Sequence, residues 1–268
     1  MPEPTTDEPH AYFVPLGAGR YRATTHTGGA WTESEQHVSP AFGLVVHEIE
    51  RFVAGRAGDD LVLARLTFEV LGVLPIEEVE VCVETVRGGR SLELLEATVL
   101  SRGRAAVRAR AWRLARHDTS AVEGGAGPSL PARDVLERTV YSHLWGGGYI
   151  ASLDVRPVEP AIPGRVAAWL STDVPLVHGE PVGDLARWVG LVDTANGLGV
   201  RESPREWLFP SIDLSIHLHR PPRGTDVGLE VQVVFGPDGQ GVTSAVLHDA
   251  DGPVGRSEQL LLVRRAHP

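Results

Sequence analysis

The sequence runs through one pattern of elements twice, and that repetition limits the chain to folds made of two like halves. Ser39-Pro40 reads as a cap and first-turn signal; Ala41, Leu44, Val45, Ile49 and Phe52 then recur at helical spacing, and Gly55 stops the helix. Four strand-like runs follow, from Leu61 to Val73, Val79 to Val86, Leu92 to Leu100 and Ala105 to Leu114, with Gly88-Gly89 and Gly103 as turns. Farther along, a strand from Val166 to Ser171 precedes a second helix, in which Leu185, Trp188, Val189 and Val192 lie on one face and Asn196-Gly197 reads as the C-cap. Strands return at Ile212 to Leu218, Leu229 to Phe235, Val242 to His248 and Val254 to Val263, turning at Asp238-Gly239 and Asp251-Gly252. The turns keep step: 14 residues separate Gly89 from Gly103, and 13 separate Gly239 from Gly252.

Between the halves, the stretch from Arg116 to Arg133 has no apolar period and contains Gly124-Gly125-Ala126-Gly127-Pro128-Ser129. The expected division is a first domain over residues 1–116, a linker over 117–133 and a second domain over 134–268. Each domain is predicted to be α+β, a long helix wrapped by a curved antiparallel sheet that buries the apolar stripe. Such a sheet ends in an open edge. Pairing the two edges removes that hazard, so the duplicated chain is expected to form a pseudo-dimer within itself.

Composition narrows the function classes. The formal net charge of −10 repels polyphosphate and argues against a nucleic-acid partner or an anionic membrane surface. All 25 basic residues are Arg, whose rigid fork of donors suits bidentate phosphate contacts. The lone Cys82, between Val81 and Val83, can form neither an internal disulfide nor a Cys-rich zinc site and reads as strand filler. The start Met1-Pro2-Glu3-Pro4 lacks the basic then apolar pattern of a signal peptide, and no apolar run approaches the roughly 20 residues of a membrane span. The expected location is the cytoplasm.

Three places carry candidate chemistry. Asp193 falls at the border of the second helix's buried stripe, close to its C-terminus. Burial and the negative end of the helix dipole both raise the pKa of a carboxyl there, toward that of a general base. The strand around Ser211-Ile212-Asp213-Leu214-Ser215-Ile216-His217-Leu218-His219 alternates, which sends Ile212, Leu214, Ile216 and Leu218 to the core and the polar set to the other face. Asp213, His217 and His219 resemble a zinc set by type, but they spread over about 20 Å along one strand, too far for joint ligation. No metal is expected. In the last strand, Ser257-Glu258-Gln259 enters an apolar run, which marks Gln259.

Taken together, Val192-Asp193-Thr194-Ala195-Asn196-Gly197, Ser211-Ile212-Asp213-Leu214-Ser215 with His219-Arg220-Pro221, and Gly255-Arg256-Ser257-Glu258-Gln259 resemble the TesB-type (type II) acyl-CoA thioesterases. That family consists of two tandem hotdog domains, and the resemblance covers nearly the whole chain. It implies that Asp193, Ser211 and Gln259 are the catalytic residues, an Asp on the second-domain helix, a hydroxyl on the next strand and a Gln on the last strand that together orient one water. The family's usual Thr is Ser211 here, which keeps the hydroxyl and loses the methyl that restricts its rotamer. Strand alignment sets Arg65 opposite Ser211 and Arg110 near Gln259, so the first half lacks the set and one active site per chain is expected. The first domain is then expected to complete the acyl tunnel and the pseudo-dimer seam.

The resemblance implies an acyl-CoA substrate and no cofactor beyond the coenzyme A of that substrate, with Arg220, Arg223 and Arg256 as candidates for its phosphates. Two functions compete with hydrolysis. Hydratases and dehydratases of enoyl thioesters also use hotdog domains, but their Gly-Asp-x-Asn-Pro-x-His type motif is not found, since Thr194-Ala195-Asn196 follows Asp193. A non-catalytic acyl-CoA or lipid-binding protein would keep the fold and lose the turnover. Further pairing of sheet edges would give a homodimer of chains.

Overall fold

The structure is a computed structural model that describes residues 8–32, 34–56, 60–140 and 144–266; the start Met1-Pro2-Glu3-Pro4 lies outside the described residues. In the first half, β1 (Phe13–Gly17) and β2 (Arg20–Ala23) precede α1 (Val38–Val53), and β3 (Leu61–Val70), β4 (Glu78–Arg87), β5 (Leu92–Ser101) and β6 (Arg104–Ala115) follow it. The second half opens with the short α2 (Gly148–Ala151), then β7 (Leu153–Pro157), β8 (Arg165–Thr172), α3 (Asp184–Val192) and the short α4 (Ala195–Leu198). It continues through β9 (Trp207–Leu208), β10 (Asp213–Leu218), β11 (Val227–Phe235), β12 (Gln240–Asp249), β13 (Gly252–Leu262) and β14 (Arg264–Arg265), which pairs with β9.

Among the described residues, twelve strands form one sheet in the order β1-β2-β4-β5-β6-β3-β10-β13-β12-β11-β8-β7. Read inward from either end, the order is the same in both halves, so the internal duplication is visible in the hydrogen-bonding pattern. The halves join where β3 pairs antiparallel with β10, from Glu69 against Asp213 to Arg65 against His217. Alternation drives the strands as expected: in β5, Leu95, Ala97 and Val99 are buried while the residues between them are partly exposed. The sheet curves round two hotdog helices, α1 and α3, both largely buried.

Several boundaries differ from expectation for identifiable reasons. The N-cap of α1 is His37, whose ring nitrogen accepts the Ser39 N–H at 3.2 Å, so an imidazole does the work assigned to Ser39. Phe52 is 40% exposed, under the Arg56 guanidinium rather than in the core. Asn196-Gly197 lies within α4 and does not end α3, because the Asn196 amide is engaged elsewhere, donating to the Phe209 carbonyl at 2.8 Å. The run from Leu61 leaves the sheet after Val70, and residues 71–74 turn toward the space between the halves.

The two long helices touch backbone to backbone. A Cβ built on Gly43 would meet the Ala186 carbonyl oxygen at 2.7 Å and the Gly190 Cα at 3.1 Å, whereas one on Gly190 finds its nearest neighbour, the Gly43 Cα, at 3.7 Å. Gly43→Ala is therefore expected to destabilise the protein by about 1–3 kcal/mol of overpacking, outweighing the helix propensity gained. Gly190→Ala is expected to be neutral or mildly stabilising. Chemical denaturation of the two variants separates them, and equal midpoints would contradict this account of the helix crossing.

Candidate active site

Asp193 is the C-cap of α3 and is 4% exposed. Its Oδ1 accepts hydrogen bonds from Gln259 Nε2 at 2.7 Å and Ser211 Oγ at 3.2 Å. Gln259 Nε2 also donates to the Asp193 carbonyl at 3.2 Å, so the amide clamps both the side chain and the backbone at the helix end. Gln259 points inward from β13 at 1% exposure, and Ser211 stands just before β10, bridged to Leu261. Residues 18 and 66 positions away from Asp193 thus converge on one carboxylate oxygen.

Asp193 and Ser211 line a cavity of about 370 Å³ between the halves. Gln259 is not among the lining residues, so it holds the carboxylate from behind rather than facing the cavity. Burial pushes the Asp193 carboxyl up to about 6, the hydrogen bonds from Ser211 and Gln259 pull the other way, and the charge of Asp213 adds a smaller upward push.

The other oxygen, Oδ2, lies 3.7 Å from His37 Nδ1. Burial lowers the His37 imidazole to about 3, so this contact joins a carboxyl to a neutral ring. Because Nδ1 accepts from the Ser39 N–H, the ring proton sits on Nε2. The His37 ring packs on Tyr149 at a centroid distance of 4.3 Å, and the Tyr149 hydroxyl donates to the Gly190 carbonyl and accepts from Thr194 Oγ1 at 2.7 Å. Tyr149 is carried by three glycines: a Cβ on Gly147 or Gly148 would strike the backbone of Gly28 or Thr25, so only a bare backbone lets α2 seat against the first half. The Gly146-Gly147-Gly148 run and a His immediately before the first helix are the sequence signals that could have found His37 and Tyr149.

The first half supplies Gln36, His37, Val38 and residues 70–74 to the same cavity. It supplies no second carboxylate at the place equivalent to Asp193. Gly43 meets Gly190 and Ala186, and Gly190 meets Gly43 and Ser39, so one offset relates both pairs; carried along the helices, it sets the buried Val46 where Asp193 stands. Arg65 and Arg110 line a different pocket on the seam, with Arg110 paired to Glu96 at 2.8 Å.

The remaining sequence candidates stand apart. Arg220 forks onto the buried Asp249 at 2.5 and 2.6 Å and also donates to the Gly252 and Pro253 carbonyls. Arg223 pairs with Asp251 at 2.8 Å, and Arg256 lines a separate pocket beneath the linker. None of the three lines the Asp193 cavity. Ile212, expected in the core, is 42% exposed on the cavity wall, while Asp213 accepts the Leu260 N–H and His217 and His219 face outward.

A carboxyl raised from about 3.9 to about 6 binds its proton more tightly in the folded state, so stability falls as pH rises through that window, by about 3 kcal/mol in all. Asp193→Asn keeps an oxygen for Ser211 and Gln259 and removes the charge. The variant is expected to melt several degrees above the wild type at pH 8 and to match it at pH 4. A wild type that is the more stable at pH 8 would mean that Asp193 is held as a charged structural group.

Residues 27–114 match the family model described as the acyl-CoA thioesterase N-terminal domain, and residues 132–263 match the acyl-CoA thioesterase C-terminal domain. No curated protein matches the sequence. Among solved structures, the chain is similar to a conserved hot dog fold protein of unknown function from Alicyclobacillus acidocaldarius, at 13% identity and a TM-score of 0.72, over 95% of this chain and 96% of that one. It is similar also to an acyl-CoA thioesterase II from Mycobacterium marinum, at 15% identity and a TM-score of 0.64, with the same coverage of 95% and 96%. At these identities the structural likeness is one of fold. With both halves matched in order, the chain belongs to the acyl-CoA thioesterase family, built from two tandem hotdog domains.

Proposed function

We propose that the chain hydrolyses an acyl-CoA thioester to free acid and coenzyme A, by direct attack of a water that Asp193 deprotonates. The observation that carries this reading is the state of Asp193: a buried carboxyl raised to about 6, with Oδ1 held by two donors and Oδ2 left toward His37. A base poised near the working pH accepts a proton and still exists mostly as carboxylate.

In the proposed reaction, the water oxygen bonds to the carbonyl carbon while its proton passes to Asp193 Oδ2. The first N–H groups of a helix have no partner within it and carry its positive end. His37 takes the Ser39 N–H, so the Val38 N–H at the cavity wall is the donor we assign to the carbonyl oxygen as it gains charge. The tetrahedral intermediate collapses with loss of the C–S bond, and coenzyme A leaves as a thiolate that takes the proton held by Asp193, which returns to carboxylate. Ser211 and Gln259 fix the rotamer of the base, and the neutral His37 leaves its pKa high.

Thiol release from acyl-CoAs tests the reading. Asp193→Asn at matched folded concentration is expected to lose about 10²–10⁴-fold in kcat. For the wild type, kcat/KM is expected to climb tenfold per pH unit below about pH 6 and level off above it, a limb absent from the variant's residual rate. Equal rates in both proteins would remove Asp193 from the mechanism. Tight acyl-CoA binding without thiol release would make the protein a carrier.

A further inference from the structure

The cavity in front of Asp193 is small, closed behind and aromatic on one side. At about 370 Å³ it sits at the low end of the range for ligand pockets.

Packed groups stand between the helices beyond this space. The Tyr149 ring covers His37, its hydroxyl is tied to Gly190 and Thr194, and α1 meets α3 backbone to backbone at Gly43 and Gly190. Trp188, fully buried, adds to the packing on that side. A long acyl chain would have to wedge apart helices that already touch.

The open side has a particular chemistry. Trp31 lines the cavity and lies edge-on to Trp145 at 4.9 Å and to Phe209 at 5.3 Å. Trp145 is fixed by its indole N–H, which donates to the Gly197 carbonyl at 2.9 Å. Trp31 nonetheless remains 39% exposed, facing a mouth where Leu71, Val73 and Ile212 are 51%, 60% and 42% exposed. Apolar side chains gathered at one opening mark a surface that something covers, and an indole with a free face favours a second ring in offset or edge contact. Glu35 and Asp193 share the lining, which disfavours an acyl group ending in a carboxylate.

We infer that the site takes a compact, uncharged, ring-bearing acyl group, an arylalkanoyl thioester such as phenylacetyl, and that Trp31 is the residue that selects the ring. This inference rests on the thioesterase reading.

Its test compares kcat/KM for phenylacetyl-CoA, butyryl-CoA, succinyl-CoA and palmitoyl-CoA, the last kept below its micellar concentration. Phenylacetyl-CoA is expected to exceed palmitoyl-CoA by at least about 100-fold, and Trp31→Ala to lower the phenylacetyl-to-butyryl ratio about 3–10-fold, with Trp31→Phe recovering most of it. Palmitoyl-CoA turned over as fast as phenylacetyl-CoA would overturn the size limit, and a ratio indifferent to Trp31→Ala would overturn the role of the indole. Binding of non-hydrolysable thioether analogues of the same series separates this inference from the reading beneath it. The same ranking in binding without any hydrolysis would sink the hydrolase and keep the selectivity, while a flat ranking sinks the selectivity whatever the turnover.

Discussion

The pairing of β3 with β10 is the contact on which the rest depends. A curved half-sheet cannot close on itself, and each half would otherwise end in a row of unpaired amides and carbonyls. Joining the two edges antiparallel removes both at once and places both helices on the same concave side, where they must cross. They cross at Gly43 and Gly190, the positions where side chains are absent and the backbones can meet. That closeness brings the N-terminus of α1 against the C-terminus of α3, and so His37 against Asp193. The site is a consequence of the seam.

Two buried aspartates in the second half show how environment sets the protonation of a carboxyl. Asp249, 1% exposed, meets the Arg220 fork and the N–H groups of Arg223 and Asp251, and its carboxyl is held below the usual range despite burial. Asp193, 4% exposed, meets a hydroxyl, an amide and a neutral imidazole, none of which brings positive charge. Desolvation therefore wins at Asp193, and ion pairing with hydrogen bonds wins at Asp249. An Arg in place of His37 would tether Asp193 firmly and make it a poor proton acceptor. The raised carboxyl costs stability at neutral pH, and under the proposed mechanism what it retains is the ability to change its charge.

Much of this was legible in the sequence, and what was missed has a common cause. Period-two alternation and turn residues located β3 to β6 and β10 to β13, because those strands bury one face each. The outer strands β1, β2 and β7 are only four or five residues long, too short for a period to register. Asp193, Ser211 and Gln259 could be placed together through resemblance, since each sits in a local motif; that Gln259 clamps Asp193 from behind depends on tertiary geometry that no motif encodes. His37 belongs to no motif at all. It acts as a cap in a position where Ser39 has the conventional side chain, and its approach to Asp193 spans 156 positions of sequence between residues 37 and 193. Arg220 and Arg223 looked available for phosphate because their partners, Asp249 and Asp251, lie 28 or 29 positions on, at the turn between β12 and β13.

Duplication offers two equivalent places for chemistry at the seam, and the halves treat them differently. Where α3 carries Asp193, α1 has Val46, and the next residue, His47, is bonded across the seam to Glu180 at 3.2 Å, a carboxylate that Arg51 also holds at 2.9 Å. The first place thus carries a buried valine, beside which His47 and Arg51 tie Glu180 of the second half to α1, while the second place opens on a cavity. On the proposed mechanism the same asymmetry makes each half depend on the other. The second half holds the carboxyl and the residues that orient it, but the N-terminus of α1, the neutral imidazole and the indole at the mouth come from the first. Under the proposed mechanism, the half without the carboxyl is the wall that shapes what the carboxyl can reach, so selectivity and proton transfer would reside on different repeats of one pattern.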